Sequence, residues 1–402
     1  MRRFWLLLPA MAAAYAALEW PQFGGPNANF QVPAKGLAKA WPNGGPKQLW
    51  KRELGEGYSG IAVDGNLLYT MYRRLGEEKV LAADAATGKT VWEYSYRAPF
   101  NGDGGRHGPH ATPLVTGDRV YTIGVTGHLH AFEKRTGQLA WERDIYGGAR
   151  GGIPHYGFAS SLIAYKHLIL APAGGKGDAV AALAQRDGGI LWRKHDFNAA
   201  YSTPLLIHVD GQDQVVMVFS RTVAGFDPNN GDLLWTHPHV ADYGLNVATP
   251  LWGEGNLLFL SSAYNAGTRA LQLWRDGKRT VVKELWHSPR VRLHHGNAIR
   301  IGGTVYFSSG DFGPAPLTAV DILTGKVLWQ DRAFPKAGLV RAGDRLIVLD
   351  EDGNLALAAV SPQGLQVISK VHLMDKQCWT TPTLVGNTLF VRDRGSMVGV
   401  GL

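Results

Sequence analysis

The stretch LAADAATGKTVW, Leu81 to Trp92, is written several times in this chain. A small residue, an acidic or polar one, a Thr-Gly turn and a Trp four residues after the Gly return at Ala131–Trp141 and Thr318–Trp329. Looser copies run from Ala181 to Trp192 and from Ala224 to Trp235. The marker tryptophans are Trp50, Trp92, Trp141, Trp192, Trp235, Trp286 and Trp329, spaced 42 to 51 residues apart. A period of that length is the signature of a propeller, array or solenoid, in which one supersecondary unit is stacked on copies of itself.

Between markers each unit keeps one grammar. Two apolar runs flank a tight turn, as in IAVDGNLLYTMY, PLVTGDRVYTIG and TLVGNTLFVRD. Asp-Gly, Gly-Asp and Gly-Asn between such runs are hairpin turns, because Gly supplies the positive φ they require. A third short strand and the Trp-bearing fourth follow, and four antiparallel strands make one propeller blade. First hairpins begin near 59, 111, 159, 202, 247, 297, 337 and 380, so the expectation is an all-β, eight-bladed propeller. The fourth strand around Trp50 precedes every hairpin, and the last unit stops after its third strand. The segment near 47–54 is therefore expected to complete the blade at 378–402 and close the ring, leaving no open sheet edge there. The seven tryptophans are read as packing that docks blade on blade, since periodic aromatics usually end in a core.

Residues 1–16 read as a signal peptide, with Arg2 and Arg3 before an apolar run and Ala14-Tyr15-Ala16 as the cleavage site. Residues 17–402 then form a single propeller domain. Cys378 is the only cysteine, so no intramolecular disulfide forms, and it lies too far from the cleavage site to carry a lipoprotein anchor. The expected location is the periplasm, as a monomer without a lipid. The formal charge of +8 falls by two with the leader, and no basic run with interleaved aromatics occurs, which argues against nucleic acid as a partner. No apolar run long enough to span a membrane follows the N-terminus.

The motif A-x-D-x-x-T-G-K-x-x-W at Ala82–Trp92 resembles the tryptophan-docking motif of PQQ-like repeat proteins. That superfamily includes the quinoprotein alcohol dehydrogenases and the outer-membrane assembly-factor propeller. The likeness runs from Trp20 to Leu402. WPQFGGPNANF, AAYSTP, NVATPL and HHGNAI are similar to an exported bacterial subgroup. The resemblance implies PQQ with calcium in the dehydrogenases, held beside a vicinal cysteine pair. This chain has one Cys, and no Glu/Asn/Asp set maps onto the calcium and catalytic-base positions. The expectation is therefore no cofactor and no catalytic residue, with a PQQ-dependent oxidoreductase as the alternative.

Loops that lead into the first strand of each blade gather at one end of the central channel. Here they carry Tyr58, Arg106, His107, His110, Arg150, His155, Tyr156, Tyr201, Asn246, Arg292, His294, His295 and Trp379. Arg brings forked donors and Tyr a flat amphipathic surface, so the set suits an anionic ligand or a protein partner. His107-x-x-His110 and His294-His295 sit on Gly/Pro loops without a nearby carboxylate, and no metal site is assigned. Ser/Thr-Pro at the starts of the first strands (Thr112-Pro113, Thr203-Pro204, Thr249-Pro250, Thr381-Pro382) is read as shaping those strands. The expected role is an exported, non-catalytic binding or assembly scaffold.

Overall fold

The computed structural model describes residues 19–33, 36–100, 108–146, 152–313 and 315–402. The leader expected at 1–16 lies outside them. Eight antiparallel sheets, at 62–97, 114–144, 163–194, 205–238, 251–288, 299–331, 338–372 and 383–401, form blades 1 to 8. Three strands come before blade 1: β1 (Glu19–Trp20), β2 (Gln31–Val32) and β3 (Lys47–Glu53). As expected, β3 pairs antiparallel with Ser396–Gly401 and supplies the fourth strand of blade 8.

The motif's letters now have physical reasons. Each marker Trp stands across from a small residue of its own third strand, beside a bulge: Trp92 from Ala82, Trp141 from Ala131, Trp50 from Gly399. A larger side chain there would collide with the indole, which crosses toward the next blade. The Asp of the turn accepts from the Thr backbone and hydroxyl, with Asp84 Oδ1 to Thr87 N 2.9 Å and to Oγ1 2.7 Å. Asp321 and Thr324 repeat it. The Trp of one blade lies over the turn glycine of the next, as Trp92 does over Gly137. Its Nε1–H then donates to the carbonyl three residues before that glycine. Trp50 to Ala85 O is 3.0 Å, Trp92 to Lys134 O 3.0 Å and Trp141 to Gln185 O 2.9 Å. Trp286 to Ile322 O is 2.8 Å and Trp329 to Ser361 O 2.9 Å.

Three markers depart from this pattern; Trp329 keeps its carbonyl bond but leaves open space at Gly364. Trp192 packs on Gly231, but its N–H is buried without an acceptor among the described residues. Blade 5 lacks the Thr-Gly turn, so Trp235 donates instead to Gln214 Oε1 (2.8 Å) in its own blade. Gln214 passes the link on to Thr280 Oγ1 of blade 5 at 2.8 Å.

At Gly137, φ is +73° and an added Cβ would fall 2.5 Å from the Trp92 ring. Gly117 also has positive φ (+60°) but open space around it. Gly137→Ala is expected to cost about 2 kcal/mol, against about 1 kcal/mol for Gly117→Ala, which carries backbone strain alone. Urea titrations of the two variants measure the difference, and equal losses would mean that the indole does not press on the turn.

Candidate functional site

First strands run from the loop face toward the hairpin turns at the opposite face. Near the hairpin end the N-terminal segment crosses the channel. β1 pairs with Val63 and Asp64 of blade 1. Pro21 O accepts from Val115 N of blade 2 at 2.7 Å. Gln31 Nε2 donates to Arg300 O of blade 6 (3.2 Å), and β2 runs parallel to Arg341–Ala342 of blade 7. The opening read in the sequence as WPQFGGPNANF is therefore a plug. Gly24 and Gly25, both at φ +79°, let it fold on itself, with Phe30 N donating to Gly24 O at 2.8 Å. Trp20 and Phe30 are buried.

A cavity of about 210 Å³ lies in the channel above this plug. Its floor is Trp20, Phe23 and Phe30. At the loop face its wall is a run of rings. Tyr58 stacks on His110 (5.6 Å) and on Trp379 (5.3 Å). Trp379 meets His295 at 4.3 Å, and His295 meets His294 at 3.6 Å. Tyr264 Oη lies 2.6 Å from His294 Nε2. Tyr156 and Tyr201 complete the wall from blades 3 and 4, at 5.9 Å from each other. Burial pushes the Tyr201 phenol above its ordinary range, so it stays protonated at neutral pH.

Between rings and plug runs a belt of hydroxyls. Thr112 N donates to Ser161 Oγ (2.9 Å), Ser161 N to Thr203 Oγ1 (3.0 Å) and Thr203 N to Thr249 Oγ1 (3.2 Å). Asn297 does the same work between blades 6 and 7, bonding both backbone groups of Leu339 at 2.8 Å. The Ser and Thr residues at these strand starts thus tie blade to blade, beyond shaping the strands. Thr112, Ser161, Thr203 and Thr249 all line the cavity.

The residues expected at the mouth divide. Tyr58, His110, Tyr156, Tyr201, His294, His295 and Trp379 meet around the cavity. Asn246 does not: it is fully buried, and its amide holds the carbonyls of Phe219 (2.7 Å) and His239 (3.2 Å). His155 stands T-shaped on Tyr156 and lines a separate cleft with Tyr243. Arg292 is ion-paired with Asp311 and turned to Pro289 O (2.7 Å), away from the cavity. Arg106, His107 and Arg150 lie outside the described residues. Sequence reasoning missed Tyr264, which sits in a turn between strands of blade 5, and the plug rings Trp20, Phe23 and Phe30. The recurring Ser/Thr before each first strand was the available signal for the belt.

None of the described lining residues is Asp, Glu, Lys or Arg. Among the described residues no group of three or more His, Cys, Asp and Glu stands ready to hold a metal. Cys378 is buried, and burial pushes its thiol up. PQQ, a tricarboxylate, would bury its charges here without a described Lys or Arg to pair them, which is costly. The described walls do not fit that cofactor.

Plug, docked tryptophans and ring closure together define a β-propeller of the PQQ-like repeat class, with a channel closed at one end. A profile of the family described as outer membrane protein assembly factor BamB matches residues 35–176 and 157–331, and the chain belongs to that family. It is 23% identical over 340 residues to the outer membrane protein assembly factor BamB of Shewanella oneidensis, covering 79% of this chain and 80% of that one. To the Yersinia pestis protein of that name it is 22% identical over 356 residues, covering 87% and 76%. The structure of BamB from Moraxella catarrhalis superposes with a TM-score of 0.63 at 18% identity, over 89% of this chain and all of that one. A europium-containing methanol dehydrogenase superposes with 0.69 at 11% identity, over 96% and 98%. At such identities the structural likeness concerns the fold.

Proposed function

We propose that this protein is an exported, non-catalytic scaffold that holds a protein partner of outer-membrane protein assembly against the loop face of its propeller. One observation carries the reading. Large apolar side chains project into solvent around the aromatic mouth: Leu75 is 96% exposed, Tyr243 91% and Phe312 80%. Leu75 and Phe312 sit in the turns between second and third strands of blades 1 and 6, and Tyr243 in the loop before blade 5. All three therefore lie at the loop face. The three most exposed large apolar side chains among the described residues thus share one face, spread from blade 1 to blade 6, and that is the face where a partner would cover most apolar surface. The relatives' printed role, assembly factor, supports the same reading. Among the described residues no helix is long and apolar enough to cross a membrane.

The rival, a PQQ-dependent oxidoreductase, rests on fold likeness alone. A dye-linked assay with alcohols and sugars in the presence of PQQ and calcium is expected to show no turnover. The scaffold reading is tested by a photo-crosslinking residue at Phe312 or Tyr243, compared with one at Asn387 on the hairpin face. Adducts with an outer-membrane protein or its assembly machinery are expected from the first two positions alone. The triple variant Leu75→Ser, Tyr243→Ser, Phe312→Ser is expected to weaken that association at least tenfold, by the usual weight of buried apolar anchors. Adducts arising only from Asn387 would move the interface to the other face and end the proposal.

A further inference from the structure

The channel cavity has a chemistry that partner docking on the outer rim does not use. Its described walls carry no Asp, Glu, Lys or Arg, so a buried charge on a ligand would find no such partner there. Its upper wall is aromatic: Tyr58 stacks on Trp379, and His295 meets Trp379 tilted by 52°. Its lower wall is the hydroxyl belt. Ser161 and Thr203 are 2% and 6% exposed, and each oxygen already accepts a backbone N–H from the blade before it. Thr249, half-buried, accepts in the same way from Thr203 N at 3.2 Å. Among the described residues none of these three cavity-lining hydroxyls donates to an acceptor outside its own residue and neighbours. Each oxygen's acceptor role is taken by an N–H, so its own hydrogen is left for the cavity. A nearly buried donor calls for an acceptor.

We propose that this cavity is a binding site for one neutral sugar ring. A pyranose matches both walls: its C–H groups pack against the rings of wall and plug, and ring and hydroxyl oxygens around its rim accept from the belt. An apolar side chain would satisfy the rings and leave the hydroxyls unmet. The cavity, about 210 Å³, is smaller than the about 300–1,000 Å³ of sites for drug-sized ligands, so it takes one ring and not a fused system. The plug seals the far end, so the sugar enters from the loop face. It is either a free monosaccharide or the last unit of a chain.

The test is calorimetric titration of the full mature chain with methyl glycosides of glucose, galactose and mannose and with N-acetylglucosamine. The corresponding disaccharides and p-cresol are titrated in parallel. The expected result is binding of at least one sugar and little heat from p-cresol. Equal affinity for mono- and disaccharide would identify a terminal unit, and preference for the monosaccharide a free sugar. Thr249→Val is expected to weaken binding about fivefold, the weight of one net hydrogen bond, and Thr249→Ser to restore it. Trp379→Leu tests the stack separately, and thermal melts confirm that each variant is folded. Tyr243→Ser, which weakens the scaffold contact, should leave sugar binding unchanged, so the two readings fail independently. No sugar binding up to 100-fold excess over millimolar protein would overturn the proposal, as would p-cresol outcompeting every sugar or full affinity in Thr249→Val.

Discussion

Arg392→Met is expected to destabilise the propeller by about 3–5 kcal/mol, the cost of stripping a buried cation's hydrogen-bonded neighbours of their partner. Arg392 ends the second strand of blade 8 and is 1% exposed. Its guanidinium crosses the seam where the ring closes. Nη1 lies 2.9 Å from Ser59 O, Thr70 Oγ1 and Met71 O, and Nη2 3.0 Å from Gly57 O. All four acceptors belong to blade 1 or the loop before it. Burial pushes the Arg392 pKa down to about 10, which leaves it protonated at neutral pH, and the Asp393 carboxylate nearby favours the charge. Methionine fills much the same volume but donates nothing, so four acceptors lose their partner in a dry seam. Arg392→Lys should recover part of the loss, because an ammonium carries the charge but not the planar fork. Urea titrations of the three proteins measure this. A loss under about 1 kcal/mol for Arg392→Met would mean that pairing of β3 with Ser396–Gly401 closes the ring without the guanidinium.

That seam shows what the sequence could and could not disclose. Strand pairing at the closure was legible because the Trp50 strand was a fourth strand without its first three. Arg392 was not, since a lone Arg in TLFVRDRG reads as an ordinary charged strand end. What buries it is the approach of a blade more than 300 residues away in the chain, and no local pattern records that. The mouth divides in the same way. Tyr58, His110, His294, His295 and Trp379 were legible because loops before the first strands must converge on the channel. Asn246 sits in such a loop too, but its amide folds back on Phe219 and His239. Loop position predicts which end of the propeller a residue occupies, not which way it turns. The plug was unreadable for a further reason. β1 and β2 are two residues each, and their pairing depends on a channel that exists only once seven blades have assembled.

Stability is expected to fall steeply as pH drops from about 6.5 to 4, from two buried histidines outside the candidate site. His130 is 1% exposed, packed among Tyr96, Tyr94 and Phe132, and its Nδ1 has no partner among the described residues. Burial, helped by repulsion from His128, lowers its pKa to about 4. Glu142 lies 3.6 Å from Nε2 but is largely exposed, so solvent screens it. His239 is fully buried with its Nε2 3.0 Å from Ser262 Oγ. Burial first, then Arg269, His287 and His237, lowers its pKa to about 3. In the unfolded chain both rings titrate near the ordinary value of 6.5. The unfolded state therefore takes up protons below pH 6.5, while the folded state stays neutral until about 4 or 3. By linkage the folded form is fully favoured above 6.5 and loses about 1.4 kcal/mol per pH unit per histidine below it. The loss reaches about 3 kcal/mol each by pH 4. Glu78 acts in the opposite sense. Its carboxyl is raised by burial, against the bond from Tyr96 Oη (2.5 Å), so it favours the folded state as pH falls. It opposes the two histidines over the range in which its own carboxylate takes up a proton. Melting temperature against pH for the protein, for His130→Phe and for His239→Gln reads the two terms apart. Each variant should flatten the slope between pH 6.5 and 4, and a slope unchanged in both would show that neither ring is held neutral in the folded protein.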